Sequence, residues 1–347
     1  MEIRQRLAPV DFVETLYIKN QQGLAIFDYG GDLQRLDSLR TVEDVFLQAA
    51  FVSKLSRTKR DIDQIRTLVA QGESFGQAAN MLMRLRAFSK PPTFSVVSQK
   101  AGQHQYKLRD VTKAVLAGLA ARLPRWSPVA QGGQVVVDVN LIGSKLLVGL
   151  RVTEASLSRR YGRHKTPRVS WALRPSLAAA MIQLTDPQPD DIFLDVMCGS
   201  GTLLRERLAF GPYNRLLGGD IDPVQVQAAN SNTRDWKRRR QPKDQFLSCW
   251  DAAALPLVDG AATKGAAYLP DSDMQPAGLP ELYASTLREL SRVLAPGGRA
   301  VFLSREYELV KDVVRQVPGL VIETGYSVLV NGRWHRLYIA TKQQHDE

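Results

Sequence analysis

The residues best suited to chemistry lie where a predicted strand gives way to a predicted helix. Ile192 to Leu194 is an apolar run typical of a buried parallel strand, and Asp195 follows it directly. Gly199 and Gly201 then allow the backbone to turn sharply and to approach a ligand without a clashing Cβ. A strand, a small-residue turn and a helix in this order bind nucleotide-like cofactors, and a carboxylate at Asp195 can hold an amino group of such a molecule.

A second carboxylate falls at the end of the next predicted strand, which runs from Leu216 to Asp222. Asp220 lies about twenty residues after the glycine turn, where a carboxylate can accept hydrogen bonds from both hydroxyls of a ribose. Asp222 is predicted to cap the helix that begins at Val224. The dehydrogenase fingerprint is incomplete, because Leu204 stands where its third glycine is expected.

The segment from Asp195 to Thr202 resembles the S-adenosyl-L-methionine loop of class I methyltransferases that act on exocyclic amines of nucleic acids. The resemblance implies that S-adenosyl-L-methionine is the cofactor. Asp251, at the end of a third predicted strand from Phe246, matches the family position whose side chain accepts the adenine amino group. The residues assigned to the cofactor on this basis are Asp195, Cys198, Gly199, Gly201, Thr202, Asp220 and Asp251.

Methyltransferases of this group place Asn, Asp or Ser, one further residue, Pro and an aromatic residue just after the fourth strand. The lone pair of a guanine amino group is delocalised into the ring, so carbonyls that accept its hydrogens make it a better nucleophile. They also align it with the methyl group. The aromatic residue stacks on a base that has been flipped out of its helix.

In this chain the corresponding interval offers only Tyr268-Leu-Pro-Asp271, in which both chemical ends are changed. The side chain of Tyr268 has no carbonyl, while Asp271 cannot stack and carries a negative charge. In one interpretation the enzyme is slow or has a changed specificity: Tyr268 stacks on the base, and the carbonyls of Leu269 and Pro270 hold the amine. The other is a catalytically degenerate homologue that acts as an RNA-binding or partner-activating protein. The preceding strand, residues 261–267, is poor in β-branched residues and is predicted to be weak and distorted.

The net charge of +11 is concentrated in one part of the 347-residue chain. Residues 51–174 carry 22 basic and 6 acidic side chains, whereas residues 175–347 carry 19 and 21. Such an excess beside a near-neutral domain suits a module that grips a polyanion, although a solubilising surface would give the same count. The densest run begins at Ser158 and includes Tyr161 and Trp171, which favours phosphate contact and base stacking over a solvated linker. The predicted RNA-contacting residues are Arg159, Arg160, Arg163, Lys165, Arg168 and Arg174.

A second resemblance covers the residues from Thr93 to about Met181. The strand Phe94 to Ser98, the helix capped by Asp110 and the paired strands that end at Arg151 resemble a THUMP domain of THUMP-containing tRNA methyltransferases. This implies a preceding ferredoxin-like domain, tRNA or another structured RNA as partner, and the exocyclic amine of a tRNA guanosine as the favoured target. The expected domains are residues 1–90 (ferredoxin-like), 91–155 (THUMP), 156–175 (basic linker) and 176–347 (Rossmann-like methyltransferase).

The expected fold class is α/β, with an α+β N-terminal half followed by a Rossmann-like class I methyltransferase domain. A C-terminal antiparallel hairpin is predicted to join residues 320–330 to residues 333–340 across Asn331-Gly332, a strong two-residue turn signal. Two cysteines are too few for a disulfide framework and favour a reducing cytoplasm. Four scattered histidines predict no metal site, and no apolar run approaches the ~20 residues that span a bilayer.

Overall fold

The computed structural model describes residues 2–17, 23–157, 173–239, 245–275 and 277–344, and over residues 234–239 only the backbone is described. The chain divides into two compact units, Met1–Leu157 and Ser158–Glu347. In the parts of the chain described, no helix is both long enough and apolar enough to cross a membrane.

The N-terminal unit combines short N-terminal elements with a larger sheet and its helices. Its described elements are, in chain order, α1 (Glu2–Leu7), β1 (Asp11–Tyr17), β2 (Gly23–Asp28), a 3-10 helix (Leu33–Ser38), β3 (Phe46–Val52), α2 (Arg60–Gln71), α3 (Glu73–Leu85), β4 (Thr93–Ala101), α4 (Leu108–Arg122), β5 (Ser127–Pro128), β6 (Val135–Ile142) and β7 (Lys145–Arg151).

Five of these strands form one sheet in the order β3-β7-β6-β4-β5, while β1 and β2 pair with each other. β6 and β7 form the antiparallel hairpin expected from the sequence, with Ile142 opposite Lys145 at its turn. The helices α2, α3 and α4 bury their apolar faces in a core that includes Phe75, Leu119 and Val137. These helices and the sheet therefore share a single core.

That core continues across the boundary predicted between residues 90 and 91. β3 pairs antiparallel with β7 from Phe46 to Val52, and Ala49 and Ala50 lie in the same cluster of buried residues as Val148. Pro91 and Pro92 lie in the segment that joins α3 to β4. The assignment of residues 91–155 to a THUMP domain, and the other domain limits, stay predictions.

The C-terminal unit alternates strands and helices before it ends in paired strands. Its described elements are α5 (Pro175–Leu184), β8 (Ile192–Asp195), α6 (Thr202–Phe210), β9 (Arg215–Asp220), α7 (Pro223–Arg239), β10 (Gln245–Cys249), β11 (Ala262–Tyr268), α8 (Leu279–Val293), β12 (Leu294–Ser304), α9 (Tyr307–Val314), β13 (Leu320–Val330) and β14 (Arg333–Lys342).

The seven strands of this unit form one sheet in the order β10-β9-β8-β11-β12-β14-β13. The first five are parallel. The chain steps from β8 to β9 and β10 on one side and then crosses to β11 on the other side of β8. β8 and β11 therefore flank the point where the winding reverses, and ligands of doubly wound sheets bind outside the carboxyl ends of the strands at such a point.

The C-terminal hairpin is confirmed. Asn331 and Gly332 both have left-handed φ values, 50° and 80°, as a two-residue type I′ turn requires. β14 then pairs antiparallel with β12, so the hairpin closes one edge of an otherwise parallel sheet.

β11 is a central strand of the sheet, although its composition predicts a weak, distorted strand. Its register shifts only between Ala262 and Lys264, and it pairs with both β8 and β12. A Cβ on Gly265 would lie 3.4 Å from Leu290 on α8, so small residues let that helix pack closely against the strand. Pairing on both edges and this close packing outweigh the low strand propensity of Ala and Gly.

Candidate active site

The turn after β8 is joined to the end of β9 by two backbone donors. The N–H of Cys198 donates to the carbonyl of Gly219 at 2.8 Å, and the N–H of Gly199 donates to Oδ2 of Asp220 at 2.9 Å. Oδ1 of Asp220 accepts from the N–H of Asp222 at 3.1 Å. The glycine turn and Asp220, both assigned to the cofactor from the sequence, are thus brought together at the carboxyl ends of β8 and β9.

The two glycines of this turn have different physical reasons to be glycine. Gly201 has φ of 79°, and a Cβ there would lie 3.0 Å from the Cβ of Ala229 on α7. Gly199 has φ of 50°, and a Cβ there would meet nothing within 4 Å. Gly201 is therefore required for helix packing, whereas the space beside Gly199 lies open to a ligand.

Asp195 ends β8 as a buried carboxylate that is only partly satisfied. Its side chain is 1% exposed, and Oδ1 has no hydrogen-bond partner among the described residues. Burial raises the pKa of Asp195 well above its ordinary value, and the nearby charge of Asp220 raises it further, whereas the N–H of Met197 opposes the shift. A cationic or amino group of a ligand would satisfy the free oxygen and stabilise the charge.

Cys198 is a buried thiol within the same turn. Burial raises its pKa well above the ordinary value, and the charges of Asp195 and Asp220 raise it further. The side chain therefore stays a protonated, unreactive thiol that shapes the turn. Thr202 is buried as the first residue of α6.

The remaining predicted carboxylates differ in their exposure and partners. Asp222 caps α7, as predicted, because its Oδ1 accepts from the N–H of Val224 at 2.8 Å. Asp251 follows β10 as an exposed side chain whose Oδ1 accepts from the N–H of Ala253 at 2.8 Å. Asp195, Asp220 and Asp251 thus follow three adjacent strands at the same edge of the sheet.

Sequence reasoning missed Trp250. Its indole Nε1 donates to the carbonyl of Val196 at 2.9 Å, which ties the residue after β10 to the turn after β8. A Cβ on Gly219 would lie 2.4 Å from the indole ring, so the second glycine of the Gly218-Gly219 pair makes room for it. The Gly218-Gly219 pair, together with an aromatic residue directly after the next strand, was the signal in the sequence that could have identified Trp250.

The changed motif begins at the carboxyl end of β11, where the winding reverses. The hydroxyl of Tyr268 lies 3.2 Å from Nε2 of His335. The N–H of Leu269 donates to the carbonyl of Leu303 at 2.9 Å, and the carbonyl of Pro270 accepts from the hydroxyl of Tyr283 at 2.7 Å. The Pro270 carbonyl, predicted to hold an amine, is therefore already an acceptor for a buried tyrosine.

Asp271 lies in the loop after β11, where it is buried and its carboxylate is paired. Its side chain is 5% exposed, and its Oδ2 pairs with Nη1 of Arg305 at 3.1 Å. Its Oδ1 accepts from the N–H groups of Asp273 and Met274 at 3.1 and 3.2 Å. Asp271 thus organises the loop after β11, and Arg305 offsets its negative charge.

Five of the predicted RNA-contacting residues lie outside the described residues. These are Arg159, Arg160, Arg163, Lys165 and Arg168. The sixth, Arg174, precedes α5 as its N-cap residue. Contact of this basic segment with RNA stays a prediction.

The fold and the site together define a class of protein. A doubly wound sheet with a glycine turn at its reversal point, carboxylates after three adjacent strands and an antiparallel terminal hairpin form a class I, Rossmann-like methyltransferase fold. Residues 163–334 match the UPF0020 family, described as RMKL-like, methyltransferase domain.

Relatives and solved structures agree with this assignment. tRNA (guanine(6)-N(2))-methyltransferase THUMP3 of Bos taurus is 28% identical over 256 residues, which cover 70% of this chain and 50% of the relative. A tRNA (guanine(6)-N2)-methyltransferase of Thermus thermophilus is 28% identical over 258 residues, which cover 72% of each chain. This chain therefore spans about half the length of the bovine relative.

The likeness to solved structures extends over nearly the whole chain. The crystal structure of TrmN from Thermus thermophilus has a TM-score of 0.74 and 24% identity, and the match covers 92% of this chain and 89% of that one. At this level of identity the likeness shows a shared fold, including the N-terminal half.

Proposed function

We propose that this protein is an S-adenosyl-L-methionine-dependent methyltransferase that methylates the exocyclic amine of a guanosine in tRNA. The names of the bovine and Thermus thermophilus relatives support this substrate. The Thermus relative is matched over 72% of both chains, so the support does not rest on a shared domain alone.

The observation that carries the proposal is the unpartnered oxygen of Asp195. This Oδ1 is buried beside a turn whose Gly199 leaves open space, so the site lacks a donor that a bound molecule would supply. When bound, S-adenosyl-L-methionine supplies a methyl group activated by a positively charged sulfur. Asp195 would hold its amino end, Asp220 the ribose hydroxyls, and Asp251 the adenine amino group. Cys198, Gly199, Gly201 and Thr202 would shape the turn around it.

At the substrate end, two groups of the changed motif can meet an amine. Tyr268 stands at the end of β11, where the winding reverses, with a hydroxyl available for hydrogen bonding. The backbone of Leu269 is held by the hydrogen bond from its N–H to the carbonyl of Leu303. We therefore assign binding of the substrate amine to Tyr268 and Leu269. Pro270 has a structural role, because its carbonyl accepts the hydrogen bond from the hydroxyl of Tyr283.

The basic segment and the charge excess of residues 51–174 support RNA as the substrate class. The two cysteines are both unpaired, which suits a protein of the reducing cytoplasm. Among the described residues, no group of three or more His, Cys, Asp or Glu side chains could hold a metal ion.

A second candidate function is a degenerate homologue that binds RNA or activates a partner. It is favoured by the place of Asp271, which fills the aromatic position of the motif with a buried carboxylate paired to Arg305. Such a protein would keep the cofactor pocket for stability and transfer nothing.

The two functions separate in one set of assays on the full chain. Calorimetry should detect binding of S-adenosyl-L-methionine and of its demethylated product, and label from the methyl group should enter tRNA transcripts or total tRNA. Binding of the donor and of tRNA without transfer would favour the degenerate homologue. Failure to bind either form of the cofactor would overturn the proposed function.

A further inference from the structure

His335 is a buried histidine with a hydrogen-bond partner at each ring nitrogen. It is 4% exposed, and its Nδ1 lies 3.1 Å from the carbonyl oxygen of Arg333. Its Nε2 lies 3.2 Å from the hydroxyl of Tyr268, and the two rings are 5.9 Å apart at an angle of 55°. The pair is therefore held by both hydrogen bonding and ring contact.

The sheet register explains why two residues so far apart in sequence meet. Tyr268 on β11 lies opposite Leu303 on β12, and Leu303 lies opposite Leu337 on β14. His335 is two residues from Leu337 along β14, so it shares that face of the sheet. The antiparallel hairpin thus brings a histidine to the carboxyl end of β11.

The partners of His335 fix the direction of its hydrogen bonds. A carbonyl oxygen can only accept, so Nδ1 must carry the hydrogen that points to Arg333. In the neutral imidazole, Nε2 then has no hydrogen and acts as an acceptor. The Tyr268 hydroxyl must therefore donate to His335.

A tyrosine whose hydrogen is committed in this way presents its oxygen as an acceptor. A hydroxyl has two acceptor lone pairs in addition to its one hydrogen. Burial and the charge of Asp271 raise the pKa of Tyr268, although Arg305 and Arg333 oppose the shift, so the phenol keeps its proton. Its oxygen then offers what the side-chain carbonyl of the family motif offers, an acceptor for an amino hydrogen.

We propose that His335 is a positioning residue that holds the Tyr268 hydroxyl as a hydrogen-bond acceptor for the amino group of the substrate. The Tyr268–His335 pair thereby replaces the carbonyl side chain that the changed motif lacks. This inference rests on the proposed function and deepens it at the same site.

The hydrogen-bond direction can be tested without any reaction. Nitrogen NMR of the full chain, which has four histidines, should find His335 at pH 8 with its hydrogen on Nδ1. The Nε2 resonance should move in Tyr268→Phe. A hydrogen on Nε2 would overturn the inference whether or not the protein is active.

The consequence for catalysis is tested with four variants and one matched control. Tyr268→Phe and His335→Phe should each lower kcat for methyl transfer about tenfold, the worth of one hydrogen bond, with the KM of the donor unchanged. The double variant should be no slower than either single variant, and His335→Gln, whose amide oxygen can accept, should recover most of the loss. Tyr326→Phe, on the exposed face of β13, is the matched control and should leave kcat unchanged.

Failure of the inference differs from failure of the proposed function. If the wild-type protein transfers methyl groups and Tyr268→Phe is as fast, the acceptor role is overturned while the proposed function stands. Additive losses in the double variant would likewise assign His335 a separate structural role. If the wild-type protein transfers none, the proposed function fails and takes the acceptor role with it.

Discussion

Asp220, the last residue of β9, accepts a hydrogen bond from the backbone N–H of Gly199, with 2.9 Å between that nitrogen and Oδ2. One side chain therefore fixes the glycine turn and, in the proposed function, the ribose of the cofactor. Asp222, two residues further along the chain, has a different role, because its carboxylate caps α7.

Asp220→Ala should weaken cofactor binding by tenfold or more, because hydrogen bonds to a charged group are worth about 1.5–3 kcal/mol. Asp222→Ala is the matched control. It should lower the free energy of unfolding by about 1 kcal/mol through loss of the cap, with little change in cofactor affinity. Calorimetric titration and thermal melts measure both, and equal losses of affinity in the two variants would contradict the assignment.

The glycines of the turn should respond differently to alanine. Gly201→Ala should destabilise the protein, because its Cβ would crowd Ala229 and its φ of 79° is strained for alanine. Gly199→Ala is also strained, at a φ of 50°, but its Cβ has room, so it should lower the melting temperature less than Gly201→Ala. It should nevertheless weaken cofactor binding more, because its Cβ would occupy the space open to the ligand. Thermal melts measure the stability of both variants, and calorimetric titrations measure their cofactor affinity. A greater loss of affinity in Gly201→Ala than in Gly199→Ala would indicate that the ligand does not lie beside Gly199.

Cofactor affinity should depend on pH through Asp195. Burial raises the pKa of this carboxyl, so part of the population holds a proton that must leave before the carboxylate can pair with an amino group. Affinity should therefore rise as the pH rises through this elevated pKa, and binding should release a proton.

Calorimetry in two buffers of different ionisation enthalpy measures that proton. Asp195→Asn, which keeps the side-chain shape, should bind more weakly and lose this contribution to proton release. Identical proton release by the variant and the wild-type protein would show that Asp195 does not titrate on binding.

Restoring the family motif should not restore faster chemistry. In Tyr268→Asn/Asp271→Phe the new aromatic residue would remove one of the two carboxylates that pair with Arg305, the other being Asp273. It would also leave the N–H groups of Asp273 and Met274 without their side-chain acceptor. We expect a loss of stability of about 2–3 kcal/mol and lower methyl transfer, measured by melts and label incorporation. Asp271→Asn, which keeps an acceptor oxygen, is the milder control. A gain of activity in the double variant would instead indicate that the motif had simply decayed.

Much of the C-terminal unit could be predicted because its signals are local. β8 and its glycine turn, Asp220 at the end of β9 and the Asn331-Gly332 hairpin each depend on residues adjacent in sequence. The N-terminal half was harder, because β3 pairs with β7 across about a hundred residues and no local pattern encodes that pairing.

The substrate end of the site depends on contacts between distant parts of the chain. Tyr268 and His335 are 67 residues apart, and Asp271 and Arg305 are 34 apart. The first pair follows from the antiparallel register of β14 against β12, which the sequence did not specify. The altered motif was therefore visible in the sequence, while the residues that complete it were not.

The most direct measurement is mass spectrometry of the nucleosides from unmodified tRNA incubated with the protein and a donor that carries a deuterated methyl group. The proposed function predicts one labelled nucleoside, guanosine methylated on its exocyclic amine. Label on a different base or atom, or tRNA that is bound yet carries no label, would contradict it.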